Sequence, residues 1–213
     1  MELGVRDYIL LAPALIFALT FHEYAHAWMA NRLGDPTAKY LGRLSFNPLV
    51  HLDIYGLLVL VMSGFRFGWA KPVPFDPRNL RHLKRDIPLI AVAGPTINVI
   101  IAICSFAALR VAGAAAPGNF QEGIFQLLTY FIYINLSLAF FNLIPVPPLD
   151  GSKILYGFLP SSKDYIYHNL ERMGPILLLG LILLNAFTPF KIISFLVGPL
   201  VEFTVRFLGA LFF

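Results

Sequence analysis

Apolar runs long enough to cross a bilayer recur along this chain, separated by short polar segments. Four stand out: Tyr8 to Ala30, Ile87 to Leu109, the uncharged stretch between Glu122 and Asp150, and Met173 to Phe190. A fifth, Ile192 to Phe213, is interrupted by Glu202 and Arg206. About 20 apolar residues span the hydrocarbon core as a helix, so each run predicts a membrane helix. A membrane β-barrel would instead show segments of about ten residues with alternating polarity.

One apolar run is too short to cross. Ile54 to Phe65 contains two glycines, and the segment after it, G-F-R-F-G-W-A-K-P-V-P-F-D-P, is punctuated by proline. Residues 54 to 77 therefore predict a re-entrant half-helix followed by a β-like hairpin. Irregular backbone is tolerated at membrane depth where protein buries it or it lines a wet cavity.

Composition agrees with lipid as the main solvent. Of 213 residues, 58% are hydrophobic and 13% charged, about half the charge of a soluble domain. The expectation is an all-α polytopic bundle of about five transmembrane helices forming one domain over 1–213. Cys104 is the single cysteine, which excludes an intramolecular disulfide and a cysteine zinc cage. The net charge of +4 reflects basic loops, and no basic, aromatic-interleaved surface points to nucleic acid. The first apolar run leads directly into chemically loaded residues, which argues against a cleaved signal.

Charge also orients the chain. Arg32, Lys39, Arg43, Arg66, Lys71, Arg78, Arg81, Lys84 and Arg85 all fall between the first two spans, whereas G-A-A-A-P-G-N after the second is uncharged. The positive-inside tendency places 31–86 in the cytoplasm and 111–121 across the membrane. Keeping these cations on one side also requires 54–65 to be re-entrant. The C-terminal end of the first span and Asp150 then share the cytoplasmic side of an inner or plasma membrane.

That end reads F-H-E-Y-A-H. His22 and His26 lie one helical turn apart on one face, a spacing that lets two imidazoles bind zinc at about 2.0–2.1 Å. Glu23, beside the first of them, is placed to act as a general base. Ionisable residues inside a membrane helix are costly and generally mark function, so an interfacial polar helix end is the weaker explanation.

A hydrolytic zinc site takes three protein ligands. Asp150 closes the uncharged run in N-L-I-P-V-P-P-L-D-G, where three prolines break the helix and Gly151 permits a tight turn. On this fragment alone, a capping or turn aspartate at the membrane edge competes strongly with a metal ligand.

H-E-Y-A-H, then G-P-T-I-N at 94–98, then N-L-I-P-V-P-P-L-D-G at 142–151 resemble, in order, the three signatures of the site-2 proteases. G-W-A-K-P-V-P resembles a segment of compact bacterial members. The resemblance spans nearly the whole chain. It implies one Zn2+ per chain held by His22, His26 and Asp150, with Glu23 as base. It further implies a place for Asn142 near the scissile carbonyl and a helix-packing role for Asn98 and Gly94-Pro95. No insert is long enough for a PDZ domain and no C-terminal cystathionine-synthase-type pair is present, so a minimal member is expected.

The implied activity is hydrolysis of peptide bonds in or beside transmembrane segments of membrane-tethered proteins, with the lipid bilayer and those substrates as partners. Such a substrate must unwind locally, and a hairpin near Phe65 to Phe75 would offer its freed backbone a strand edge. Oligomeric state, including a homo-oligomer, is left open. Asn142 positions substrate or satisfies backbone at the helix break, and Asn98 bonds helix to helix. His51 and Asp53 read as structural, His82 and His168 as solvated loop, and Trp69, Tyr40 and Tyr55 as interfacial anchors. A metal transporter would spread acids over several spans, and a di-iron oxidase needs more histidines than the five present. A catalytically inactive relative that binds membrane clients is the nearer rival, and the intact Glu23 argues against it.

Overall fold

The computed structural model describes residues 4–64, 68–113, 119–189 and 191–212. Among the described residues, eight α-helices follow one another: α1 Val5–Arg32, α2 Thr37–Tyr40, α3 Ile54–Met62, α4 Leu83–Gly113, α5 Asn119–Asn142, α6 Asp150–Phe158, α7 Asp164–Phe187 and α8 Ile192–Phe212. Four segments, Arg6–Arg32, Leu83–Gly113, Glu122–Asn142 and Ile192–Phe212, are long and apolar enough to cross a membrane. The run from Met173, expected as a span, forms the second part of α7, which is not one of these four, whereas the interrupted fifth run forms α8 and is. The protein is an all-α polytopic membrane protein.

Helix α4 is central, packed against α5, α1 and α6, and α5 also packs on α1. On α1, Ala14, Ala18, His22, His26 and Ala30 recur every fourth residue, and all five are buried. That periodicity makes one stripe along the helix, and its small residues let another backbone approach closely. The facing stripe on α4 is Ile90, Gly94, Asn98 and Ala102, again every fourth residue and buried. Two apolar clusters flank this seam. One joins α4, α5 and α8 through Phe106, Ile132, Leu136 and Val201. The other joins α1, α4, α6 and α7 through Ala30, Ile87, Tyr156 and Tyr167. Outward-facing Ile176, Phe195 and Phe203 are exposed, as lipid-facing side chains should be.

Helix α3 begins at Asp53, whose carboxylate accepts from the Gly56 amide as an N-cap. At about 1.5 Å per residue it reaches less than half way across the hydrocarbon core. Ile54, Tyr55, Leu58, Val61 and Met62 are exposed along it. The expected hairpin falls partly on residues 65–67, outside the described residues. Among the described residues that region holds one isolated antiparallel bridge, Leu52 to Ala70, and no named strand. Trp69, Tyr40 and Tyr55 are exposed. His82 is exposed; His168 is exposed too, but it lies on α7 rather than in a loop.

Candidate metal centre

His22 and His26 project from the C-terminal half of α1, on the stripe that faces α4. Each imidazole is aimed by a partner on α4. His22 Nδ1 lies 2.6 Å from Asn98 Oδ1, and His26 Nδ1 lies 2.7 Å from the Ile90 carbonyl. Both partners are acceptors, so both Nδ1 atoms carry the proton and both Nε2 atoms present a lone pair. Those two Nε2 atoms stand 3.1 Å apart. Asp150 Oδ2 completes a triangle, 3.1 Å from His22 Nε2 and 3.2 Å from His26 Nε2. Three donors about 2.0–2.1 Å from a tetrahedral ion would be about 3.3–3.4 Å apart, close to the sides of this triangle. The residues present therefore fit a metal ion, and all three are buried.

The third corner depends on how α5 ends. Pro145, Pro147 and Pro148 supply no amide hydrogens, and the helix stops at Asn142. The chain doubles back so that α6 starts on Asp150, with Leu149 as its N-cap. Asp150 is thus neither a capping nor a turn residue; it is the first residue of a helix pointed at the histidines. Gly151 has a different role from the turn expected of it. A Cβ there would lie 2.2 Å from the Leu143 carbonyl oxygen and 2.5 Å from that of Ile144, so only glycine lets α6 dock against the end of α5. Gly94 does the same for the imidazoles: a Cβ would lie 2.5 Å from His26 Nε2 and 2.7 Å from His22 Nε2.

Glu23 is buried beside the triangle, and its Oε2 accepts from the Val73 amide at 3.0 Å. A cavity of about 90 Å3 is lined by His22, Glu23, His26, Asn142 and Asp150, with Pro72, Val73, Phe75 and Lys153 also on its wall. The structure thus brings every expected site residue, Asn142 included, to one cavity. The Asn142 side-chain amide donates to the Leu138 carbonyl within its own helix.

Comparison with known proteins gives the family. A sequence model of "Peptidase family M50" matches residues 110–184. YwhC of Bacillus subtilis, whose given name includes the words zinc metalloprotease, is 36% identical over 182 residues, covering 84% of this chain and 81% of that protein. The chain belongs to peptidase family M50. A second relative, MJ0611 of Methanocaldococcus jannaschii, has a name with the same words and is 38% identical over 154 residues, 71% of this chain and 72% of that protein. Rip2 of Mycolicibacterium smegmatis, likewise named, is 27% identical over 150 residues, 69% of this chain but 56% of its own length. No solved structure matches significantly. The site-2 protease resemblance of the three motifs is borne out, and the protein is a metallopeptidase-family member in a membrane.

Four features of this M50 site escaped the sequence. Asn98 bonds helices as expected, donating to the Ala18 carbonyl and to Asn135 Oδ1, but its own oxygen also orients His22. Groups of this kind fix the tautomer and direction of a ligand. Asn135, fully buried on α5, extends the chain of amides to a third helix. Lys153 Nζ lies 3.7 Å from Asp150 Oδ1 and brings a cation to the cavity wall. Buried Arg43 and Asp35 bond segments of the loops between α1 and α4, Arg43 to Val50, Lys71 and Pro72 and Asp35 to Asp76 and Asn79. Burial pulls the Arg43 guanidinium below its ordinary value, and the Glu23 charge opposes that shift. The fourfold spacing of Ile90, Gly94 and Asn98 was the available signal for the α4 contribution; nothing local marks the rest.

Proposed function

We propose that this chain is an intramembrane zinc endopeptidase of the site-2 type, in which His22, His26 and Asp150 hold one zinc ion and Glu23 is the general base. One observation carries the reading. Two buried lone pairs face each other at 3.1 Å beside a carboxylate, and both imidazoles have their other nitrogen committed elsewhere. Such an arrangement is repulsive unless a cation or a proton sits between them, and its dimensions suit a metal ion.

Bound zinc supplies Lewis-acid polarisation of a peptide carbonyl and makes water acidic enough to react near neutral pH. The chain does the remaining work. Asn98 and the Ile90 carbonyl keep both Nε2 atoms unprotonated and convergent. Glu23 accepts a proton from the attacking water and returns it to the leaving amine, while the Val73 amide holds one carboxylate oxygen in place. Asn142 has an amide hydrogen beyond the one given to Leu138, and it donates this to the oxygen of the tetrahedral intermediate. Lys153 offsets negative charge gathered around Asp150.

Depth defines the substrate. His26 lies six residues before the end of α1 and His22 ten, so the ligands sit about 9–15 Å in from that helix end. Peptide bonds that reach them belong to membrane segments or their immediate flanks, opened from helix before attack. The basic loops before α4 support a site that faces the cytoplasm.

The test compares wild type with Glu23→Gln, purified in detergent, on a tagged transmembrane substrate, with zinc counted per chain. Near-stoichiometric zinc in both and cleavage in wild type alone is expected. Zinc without cleavage in either would favour a client-binding relative, and absence of zinc would overturn the site.

A further inference from the structure

The segment Lys71-Pro72-Val73-Pro74-Phe75 reaches the site from outside the spanning helices, and among the described residues it is bonded to Glu23 by one hydrogen bond. Pro72 and Pro74 have no amide hydrogen, so Val73 carries the one donor of the three. That donor goes to Glu23 Oε2. What fixes the segment is Arg43, which follows α2 and is 5% exposed. Its Nη1 donates to the Val50 carbonyl, and its Nη2 to the carbonyls of Lys71 and Pro72. Lys71 is held from its other side as well, its amide donating to the His51 carbonyl at 2.8 Å. His51 is in turn anchored by its Nε2 donating to the Ser45 carbonyl at 2.7 Å. The guanidinium thus ties the loop at Val50 to the two residues immediately before Val73. A planar fork of donors serves three carbonyls in a way a lysine ammonium cannot.

We propose that Arg43 is a positioning residue for Glu23, acting through the Lys71–Val73 backbone that it clamps. The inference rests on Glu23 being the base. Arg43 touches neither metal ligands nor substrate; it keeps the Val73 amide where it fixes one oxygen of the carboxylate. Val73 precedes a proline and is therefore biased to extended backbone, so Val73→Pro removes the donor with little change of path.

The test uses wild type, Arg43→Met, Arg43→Lys, Val73→Pro and the Arg43→Met/Val73→Pro double variant, with zinc content, kcat and KM on a tagged transmembrane substrate. Arg43→Met is expected to keep its zinc and lose at least tenfold in kcat, with KM changed less than about twofold. Arg43→Lys should recover part of the loss. The double variant should be no slower than Val73→Pro alone, because both changes remove the same hydrogen bond. Multiplicative losses, an unchanged kcat or loss of zinc in Arg43→Met would each overturn the proposal.

A second readout needs no turnover. Hydrogen exchange at the Val73 amide of metal-free protein is not overlapped by amides of Pro72 or Pro74. It should rise at least tenfold in Arg43→Met and in Glu23→Ala; unchanged exchange in either refutes the clamp. Should wild-type protein bind zinc but cleave nothing, the protease reading fails while this exchange result still decides whether Arg43 positions Glu23.

Discussion

Gly94→Ala tests the metal centre through a residue that has no side chain to offer it. The added methyl would lie 2.5 Å from His26 Nε2, 2.6 Å from His22 Cε1 and 2.7 Å from His22 Nε2, all inside van der Waals contact. Without metal, the two imidazoles are held only by their Nδ1 hydrogen bonds to Asn98 and the Ile90 carbonyl, and each ring can tilt away from the methyl about that bond. With metal they must converge on the ion, so the crowding penalty falls mainly on the bound state. Overpacking of this kind costs about 1–3 kcal/mol. At about 1.4 kcal/mol per tenfold, zinc affinity should fall by about 5- to 150-fold. Competition with a chromogenic chelator in detergent measures it. Gly180→Ala on α7 is the control, because a Cβ there meets nothing within 4 Å, and it should leave zinc affinity unchanged. Zinc binding by Gly94→Ala at wild-type affinity would show that the imidazoles do not converge as described.

Asn98→Ala should keep the fold and weaken zinc by about 10- to 100-fold, because His22 Nδ1 loses the oxygen that orients it; the same chelator titration reports it. Stripping metal with a strong chelator should abolish cleavage, and added zinc should restore it with a stoichiometry near one per chain. Asp35 gives a pH prediction outside the spans. Burial pushes its carboxyl up, but donors from Thr37, Asn79 and Asp76 outweigh this and hold it below its ordinary 3.8. Its contribution to stability is therefore complete above about pH 4 and is lost as pH falls through the lowered folded value. Asp35→Asn should lower stability by about 1–3 kcal/mol at neutral pH and flatten thermal unfolding across that acidic window.

The sequence by itself determined the membrane class, four of the long spans, and the helical face that pairs His22 with His26. These are local properties. Lipid demands apolar runs of fixed length, and a 3.6-residue helix puts residues four apart on one face. It also marked where α5 stops, because Pro145, Pro147 and Pro148 together remove three donors within four residues, whereas single prolines are carried inside α4. The tertiary structure alone decided which groups complete the site. Asp150 reaches the histidines across 128 positions of sequence and Val73 reaches Glu23 across 50. Asn98 on its fragment reads as helix glue, and only the packing of α4 on α1 turns its oxygen toward His22. The acceptor for His26 is the backbone carbonyl of Ile90, a group every residue carries, so no side-chain pattern announces it. Gly151 looked like a turn residue, yet the close approach of two chain segments is what requires it. Sequence reveals the chemistry a helix can carry on one face; where the remaining partners come from depends on how distant segments pack, because hydrogen bonds and steric fit act at contact distance and not along the chain.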